Sequence, residues 1–170
     1  MNPAIEISGV TKRYGTLTAL DNVSFSVERG EMFGLIGPDG SGKSSLYRIL
    51  ATLTAPDEGS ATICGLDTVS DYARLRTMIG YMPERFSLYQ DLTVSENLRF
   101  VASLFGVSIK ENYDISAPVF SQLERFPNRK AGARSGGMKQ KLALSCALIH
   151  RPEILLLDEP TTGVDAVSRS

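Results

Sequence analysis

Hydrophobic and polar residues alternate near the N-terminus of the chain, and this alternation predicts half-buried strands. In the stretch 23–28, three apolar residues alternate with two serines and a glutamate, which is the period-2 signature of a strand with one buried face. A weaker apolar pattern predicts an earlier strand that begins near Ala4. The polar stretch Lys12–Gly15, which includes one aromatic ring, is predicted to form the turn between these two strands.

The apolar run Met32–Ile36 precedes a glycine-rich stretch, and apolar residues at helical spacing follow it in 46–50. We expect a buried strand, a loop and a helix in that order. Further along, the pattern predicts a strand at Ser60–Cys64, a short helix at Asp71–Met78 and a brief strand at Ile79–Pro83, which the proline ends.

Helical periodicity dominates much of the second half of the chain. Thr93 and Glu96 have the spacing of a reciprocal capping box, so a helix is predicted to begin there and to continue until Gly106. Prolines at positions 118 and 127 interrupt the weaker pattern that follows. We interpret 94–133 as a mainly helical insertion between two parts of an α/β core.

A further helix is predicted to open at Ser135 and to end just before Pro152. The continuous apolar run Ile154–Leu157 follows, as expected for a parallel strand that is covered on both faces. This strand delivers Asp158 and Glu159 to its C-terminal end, where ligands bind in open α/β sheets.

Composition and charge narrow the class of protein. Hydrophobic residues make up 42% and charged residues 22% of the chain, as in a soluble globular protein, and the net charge of -1 gives no reason to expect nucleic acid as a partner. No apolar run approaches the ~20 residues of a membrane-spanning helix, and the N-terminus has no signal-sequence pattern. Cys64 and Cys146 are predicted to be small buried thiols in a reducing cytosol, so the composition favours a cytoplasmic protein.

The glycine-rich stretch fits the phosphate-binding pattern G-x-x-x-x-G-K-S, with the strand before it and the helix after it that this pattern requires. Glycines let the backbone wrap around an anion, and the helix N-terminus adds free N–H groups and the positive end of its dipole. Lys43 is predicted to neutralise charge on the β- and γ-phosphates, and the Ser44 hydroxyl to ligate Mg²⁺. The predicted nucleotide-binding residues of this loop are Gly37, Pro38, Asp39, Gly40, Ser41, Gly42, Lys43, Ser44 and Ser45.

Two acidic residues after the apolar run Ile154–Leu157 are candidates for the chemistry. In phosphate-loop nucleotidases an aspartate at the end of such a strand holds the Mg²⁺ that bridges the β- and γ-phosphates, and Asp158 fits that role. Glu159 follows directly, and a second carboxylate there can polarise the water that attacks the γ-phosphate. Two surface acids at a strand end are the alternative, and the upstream phosphate loop favours the catalytic interpretation.

A second anion-binding surface is predicted at Ser135, Gly136 and Gly137. A serine N-cap followed by two glycines lets an anion approach the free N–H groups of a helix closely. The phosphate loop already serves the nucleotide of its own domain. A second surface of this kind would therefore serve the nucleotide of another such domain, packed head-to-tail against the first.

In this order and spacing, the motifs resemble those of the nucleotide-binding domain of ATP-binding cassette (ABC) proteins, and the resemblance covers practically the whole chain. Gly37–Ser44 matches the phosphate loop of that family, Ser135–Gly137 its signature motif and Leu155–Glu159 its Mg²⁺ strand. Pro160–Asp165 matches the following turn and the loop at which two domains meet. Three stretches are similar to the ATPases of ABC-2-type and multidrug exporters, namely Gly80–Pro83, Leu92–Val94 and Ser135–Gln140.

The resemblance implies an α/β fold, namely a phosphate-loop NTPase core with antiparallel N-terminal strands and a helical subdomain. It implies one ABC domain over 1–170, with its core at 1–92 and 134–170, a helical subdomain at about 93–133, and the last strands of the family's fold absent. It also places Tyr14 where the family stacks an aromatic ring on adenine.

In function, the resemblance implies an ATPase subunit or domain of a transporter, with ATP and Mg²⁺ as cofactors and with Lys43 and Glu159 in catalysis. A second nucleotide-binding domain would close with this one on two ATP molecules, and hydrolysis would reopen the pair. An ABC-2-type membrane permease would bind the region Glu84–Asn97 and hold the protein at the inner face of the cell membrane. The implied metal ligands are Ser44, Asp158 and Glu84.

The chain departs from the family pattern in three places. Glu84 stands where the family usually has glutamine, and it adds a charge near the γ-phosphate. Arg134 and Met138 replace the leucine and glutamine of the signature motif, and Arg134 is expected to weaken the packing there. The sequence ends before the family's switch histidine, and His150, which precedes the Mg²⁺ strand, is expected to be an ordinary helix end.

Two other functions stay open at this point. Without the switch histidine and the last strands, the chain could be a nucleotide-gated binding module that hydrolyses nothing. It could also be a soluble ABC protein that acts on ribosomes or DNA, although it has neither a basic excess nor a long charged helical arm.

Overall fold

The computed structural model describes residues 2–85, 87–112, 114, 119, 123 and 127–160. The chain forms two compact units, Met1–Ile79 and Gly80–Ser170. The elements of the first unit are β1 (Ile5–Tyr14), β2 (Leu17–Val27), α1 (Lys43–Leu50), β3 (Glu58–Ile63), β4 (Leu66–Asp67) and α2 (Tyr72–Met78). Those that follow are β5 (Ile79–Met82), α3 (Val94–Leu104), a 3₁₀ helix (Ala131–Ala133), α4 (Gly136–Leu148) and β6 (Ile154–Leu157).

The first unit is built around a four-stranded sheet with the order β2-β1-β3-β4. β1 pairs antiparallel with both β2 and β3, and Ile7, for example, lies opposite Phe25 on one side and Ala61 on the other. The antiparallel N-terminal strands that the sequence analysis expected are therefore present. One face of the sheet is the core of this unit, where Ile7, Val10, Ala61 and Ile63 are buried.

The stretch Lys12–Gly15 is not the turn that its polar sequence predicted. β1 continues through Tyr14, which pairs with Leu17, and only two residues connect the strands. Gly15 begins this connection with φ 60, a conformation that suits a two-residue hairpin and costs glycine little. These residues stay in the strand although their side chains are polar, because one face of an antiparallel sheet can be exposed to solvent while the backbone stays paired.

The expected strand at Met32–Ile36 is not formed, and this prediction is wrong for the structure described. Met32 is 99% exposed and Ile36 96% exposed, and neither sheet of the described chain includes this run. A strand needs neighbours for its backbone N–H and C=O groups, and an apolar run cannot supply them by itself. Within the run, the Phe33 ring stacks on Phe25 of β2 with a centroid distance of 5.1 Å.

The second unit packs α3 against α4, and the buried cluster between them includes both helices and the segments around them. Its members are Val94, Leu98, Ala102, Leu123, Ala131, Leu142, Cys146 and Ile149. β5 pairs with β6, and Gly80 lets β5 lie directly against α4, because a Cβ at position 80 would come within 2.4 Å of the Ala147 carbonyl oxygen.

The helices α3 and α4 begin where their caps predicted. Thr93 is the N-cap of α3 in a complete capping box, and Ser135 is the N-cap of α4. Of the predicted helical insertion at 94–133, the structure describes α3 and the 3₁₀ helix, whereas much of the remainder, including Pro118, lies outside the described residues. The proposed domain limits at about 93 and 133 stay predictions.

His150 follows the end of α4, as expected, but it is more than a helix end. Its ring stacks on Phe105 with a centroid distance of 3.8 Å and an angle of 4° between the planes. The next residue, Arg151, donates from Nε to Asn112 Oδ1 at 2.8 Å. The end of α4 is therefore tied to the segment that follows α3.

The two cysteines are not joined in a disulfide, and they differ in their surroundings. Cys146 is buried in the helical core, and burial raises its pKa to about 12, so the thiol is protonated and inert at neutral pH. Cys64 is only half-buried, so the expectation of two buried thiols holds for Cys146 alone. Within the described residues, no helix is both long enough and apolar enough to cross a membrane.

The capping box makes the stability of the second unit depend on pH in a way that can be measured. Hydrogen bonds from the backbone N–H and then the hydroxyl of Thr93 lower the pKa of Glu96 below its ordinary value of 4.5. This stabilisation is present above about pH 4.5 and is lost as the pH falls through the lower folded-state pKa. We expect the free energy of unfolding to fall less between about pH 5 and about pH 3 in Glu96→Gln than in the parent protein.

Urea unfolding at each pH measures this difference. Glu111→Gln is the control, since Glu111 is an exposed carboxylate of the same unit outside the capping box. The account is wrong if Glu96→Gln and Glu111→Gln show the same dependence on pH.

Candidate functional site

The glycine-rich loop closes around its own lysine. α1 begins at Lys43, and the Lys43 ammonium donates hydrogen bonds to the carbonyl oxygens of Gly37 at 2.8 Å and Pro38 at 2.9 Å. Within the loop, the Ser41 N–H donates to the Pro38 carbonyl at 3.2 Å. The positive charge is thus held inside the loop, next to the N-terminus of α1, which is the arrangement that binds phosphate.

Gly42 fixes this loop to the sheet. It is the N-cap of α1, with φ 91, and a Cβ at this position would come within 2.2 Å of the Ala19 carbonyl oxygen and 2.9 Å of Leu20 Cδ2. Gly40 has a similar φ of +78, but a Cβ there would meet nothing within 4 Å. The two glycines therefore serve different purposes, since Gly42 permits a close approach and Gly40 only a turn.

Tyr14 lies at the tip of β1, in the same unit as the loop, and its side chain is 43% exposed. Tyr14 pairs with Leu17 on β2, and Ala19, two residues further along that strand, contacts Gly42. The exposed ring and the phosphate loop are therefore brought to the same part of β2.

The acidic candidates belong to the second unit, at the ends of its two paired strands. Asp158 is 2% exposed, and its N–H donates to the Met82 carbonyl at 2.9 Å. Glu84 follows Met82 by two residues and is exposed. Glu159 is half-buried and has φ 50, which is uncommon for a residue that is not glycine and marks a sharp turn after β6.

These acids do not form a metal centre by themselves. In the part of the chain that the structure describes, no group of three or more His, Cys, Asp or Glu side chains is arranged to hold a metal ion. The Asp158 carboxylate nevertheless fits a ligand of Mg²⁺, because oxygen is the donor that Mg²⁺ prefers.

The Ser135 motif has the geometry of a helix start that is open to a ligand. The Ser135 hydroxyl accepts a hydrogen bond from the Met138 N–H at 3.4 Å, and Gly136 and Gly137 form the first turn of α4. Ser135 and Gly136 are both exposed. The sequence-predicted residues are therefore where an anion can reach them, although they lie in a different unit from the phosphate loop.

Arg134, the departure in front of this motif, is a buried residue rather than a surface charge. It is only 9% exposed, and burial, with the nearby charge of Arg129 as the smaller cause, lowers the pKa of its guanidinium. A leucine at this position would be buried without that desolvation cost. Compared with leucine, arginine therefore adds a desolvation cost at the buried position that precedes α4.

Asn97 is a residue that the sequence analysis did not single out. Its side chain is fully buried, and its amide brackets the backbone of Tyr89, accepting from the N–H at 3.0 Å and donating to the carbonyl at 2.9 Å. It thereby fixes the segment between β5 and α3. The only signal in the sequence was one asparagine on the apolar side of a helix start.

A glycine-rich loop that holds the Lys43 ammonium lies next to a sheet, and α1 starts from this loop. These features define the class of protein as a phosphate-loop nucleotide-binding protein. The sequence model of the ABC transporter family matches residues 20–162. The chain therefore belongs to the ABC transporter family.

Similar proteins agree with this assignment. The probable multidrug ABC transporter ATP-binding protein YbhF of Escherichia coli is 45% identical over 174 residues, which cover 99% of this chain and 30% of that protein. The Nod factor export ATP-binding protein I of Mesorhizobium japonicum is 40% identical over 168 residues, covering 98% of this chain and 49% of that protein. The chain thus spans half or less of the length of these two curated relatives.

Solved structures show the same fold. The ATP-binding subunit of an ABC transporter has a TM-score of 0.85 and 33% identity, covering 98% of this chain and 70% of its own. A bacterial ABC transporter cassette, solved as a dimer, has a TM-score of 0.85 and 30% identity, covering 97% of this chain and 78% of its own. The expected α/β fold of an ABC ATPase domain is therefore confirmed.

The two glycines of the loop provide a test of how it is held. We expect Gly40→Ala to lower the free energy of unfolding by about 1 kcal/mol, which is the cost of a Cβ at positive φ. Gly42→Ala is expected to cost about 1–3 kcal/mol more, because the added Cβ also meets the backbone of β2. Chemical denaturation of both variants measures the difference. Equal losses would mean that the contact with Ala19 does not hold the loop.

Proposed function

We propose that this protein is the ATP-binding and ATP-hydrolysing subunit or domain of an ABC transporter that works as an exporter. The observation that carries the proposal is the Lys43 ammonium, held by the Gly37 and Pro38 carbonyls at the start of α1. The names of the curated relatives, which include a multidrug transporter ATP-binding protein and an export ATP-binding protein, support the exporter branch.

In this proposal the first unit binds ATP. The loop Gly37–Ser45, in which every residue except Pro38 carries a backbone N–H group, and the N-terminus of α1 hold the phosphate oxygens. Lys43 moves from the loop carbonyls to the β- and γ-phosphates. The exposed ring of Tyr14 stacks on adenine. A related cassette solved with ADP and phosphate supports nucleotide as the ligand.

Ser44, Asp158 and Glu84 would hold Mg²⁺, which, when bound, neutralises charge on the β- and γ-phosphates. Glu159 accepts a proton from water as the water oxygen attacks the γ-phosphorus. The bond between that phosphorus and the bridging oxygen breaks, and ADP and phosphate are the products. Glutamate at position 84, unlike the family's glutamine, adds negative charge, so ATP without Mg²⁺ is repelled more strongly.

The protein would act with two partners. One partner would be a second nucleotide-binding domain, on the same or a separate chain. Its nucleotide would be contacted by Ser135, Gly136 and Gly137 of this domain, as the exposed start of α4 allows. An ABC-2-type permease would bind the region Glu84–Asn97, where the exposed Tyr89 ring lies edge-on to Phe100 at 5.1 Å. The protein would then be cytoplasmic and peripheral at the inner face of the cell membrane.

Nucleotide binding is tested first. We expect Lys43→Ala to weaken Mg²⁺-ATP binding by about 10- to 100-fold, since a charge-assisted contact to phosphate contributes about 1.5–3 kcal/mol. Isothermal titration calorimetry measures the affinity. Lys110→Ala is the matched control, because Lys110 is exposed in the other unit and should leave the affinity unchanged. Equal affinities of the parent and Lys43→Ala would contradict the proposed site.

Hydrolysis is tested separately. We expect Glu159→Gln to keep ATP affinity and to lower turnover by about 10²- to 10⁴-fold, because it removes the base but not the phosphate contacts. Phosphate release measures the turnover. Glu153→Gln, which changes a glutamate just before β6, is expected to retain the parental rate. Turnover at the parental rate in Glu159→Gln would exclude Glu159 as the base, and binding without turnover in the parent would favour a non-hydrolysing module.

A further inference from the structure

Two ion pairs join Lys12 and Arg13, the two residues before Tyr14, to Asp57 and Glu58 at the start of β3. The Lys12 ammonium donates to Asp57 Oδ1 at 3.0 Å, and the backbone N–H of Arg13 donates to Asp57 Oδ2 at 2.6 Å. The Arg13 guanidinium also donates to Glu58 Oε1 at 2.7 Å. Each carboxylate oxygen of Asp57 therefore accepts a hydrogen bond from one of the two residues that precede Tyr14.

These contacts begin where the sheet stops holding β1 on that side. β1 pairs with β3 only as far as Thr11, which lies opposite Glu58, whereas its pairing with β2 continues to Tyr14. The Asp57 N–H donates to the Thr11 carbonyl at 2.9 Å. The Asp57 carboxylate then accepts the hydrogen bond of the Arg13 N–H, which a carbonyl of a neighbouring strand would otherwise accept. Without it, the backbone of the last three residues of β1 would be paired on the β2 side alone.

The same carboxylate places a cation against the Tyr14 ring. Lys12 Nζ lies 5.6 Å from the centroid of this ring, within the ~6 Å of a cation–π contact, while its ammonium is bound by Asp57. The ring is still 43% exposed, so it retains surface for a ligand. The Asp57 carboxylate thus acts on the ring through both the Arg13 backbone and the Lys12 side chain.

Hydrogen bonds from the Arg13 backbone and the Lys12 ammonium lower the pKa of Asp57. The carboxylate is therefore ionised at neutral pH, and the contacts that depend on its charge persist. A ring whose orientation is set before the ligand arrives loses less conformational freedom on binding, which favours affinity.

We propose that Asp57 is a positioning residue that orients Tyr14 for stacking against the base of the bound nucleotide. This inference rests on the proposed function, and it adds a residue 43 positions away in the sequence that never touches the ligand. Exposed ion pairs contribute little to stability. If Asp57 had only a structural role, its substitution would change stability and the affinity for every ligand slightly. A positioning residue would change only the binding of ligands that contain a base.

The experiment compares two ligands, Mg²⁺-ATP and Mg²⁺-tripolyphosphate, by calorimetry on the whole protein. We expect Asp57→Ala to weaken ATP binding by about 3- to 10-fold, a part of what one stacked base contributes, and to leave tripolyphosphate binding within about twofold. Asp57→Asn, which keeps the shape of the side chain, should weaken ATP binding in the same direction. Glu58→Gln is the control, since it alters the neighbouring ion pair without touching Lys12, and should change neither affinity.

A double-variant cycle isolates the route through the ring. In a Tyr14→Ala background, Asp57→Ala should cause no further loss of ATP affinity. Unchanged ATP affinity in Asp57→Ala, equal losses for both ligands, or a further loss in the Tyr14→Ala background would each overturn the inference. A parent protein that binds tripolyphosphate and ATP equally well would overturn the role of Tyr14, whereas one that binds neither ligand would overturn the proposed function itself.

Discussion

The close approach of Gly42 to the backbone of β2 is the constraint on which the nucleotide site depends. Because only a residue without a Cβ fits against the Ala19 carbonyl, the end of the loop is fixed to the strand, and α1 must begin at the next residue. Lys43 is then turned into the loop, where two carbonyls hold it. The same strand forms a hairpin with β1, in which Tyr14 pairs with Leu17, two residues before Ala19.

In the second unit, two helix caps and one close contact determine where the helices begin and how β5 packs. The caps at Thr93 and Ser135 set where α3 and α4 begin, and Gly80 lets β5 lie against α4. The pairing of β5 with β6 places Asp158 opposite Met82, so the buried acid and the exposed Glu84 follow neighbouring strands. Strand pairing therefore decides where these two acidic side chains lie in the second unit.

The wrong predictions concern elements whose state depends on distant partners. Met32–Ile36 is apolar enough for a buried strand, but a strand also needs backbone neighbours, and the described sheets do not include this run. Lys12–Gly15 is polar enough for a turn, but β2 pairs with it as far as Tyr14. In both cases the local pattern reports the preference of the side chains, and strand pairing decides the outcome.

The sequence by itself determined the phosphate loop, the capped helix starts, the apolar strand before Asp158 and, through them, the family. Each of these signals lies within a few residues, where spacing and side-chain chemistry act directly. Only the tertiary structure decided that Asp57 holds the residues beside Tyr14, that Asn97 brackets Tyr89 and that Arg134 is buried. The contact between Arg13 and Asp57 joins residues 44 positions apart. Contacts of this kind arise from the way the strands and helices pack, which no local pattern records.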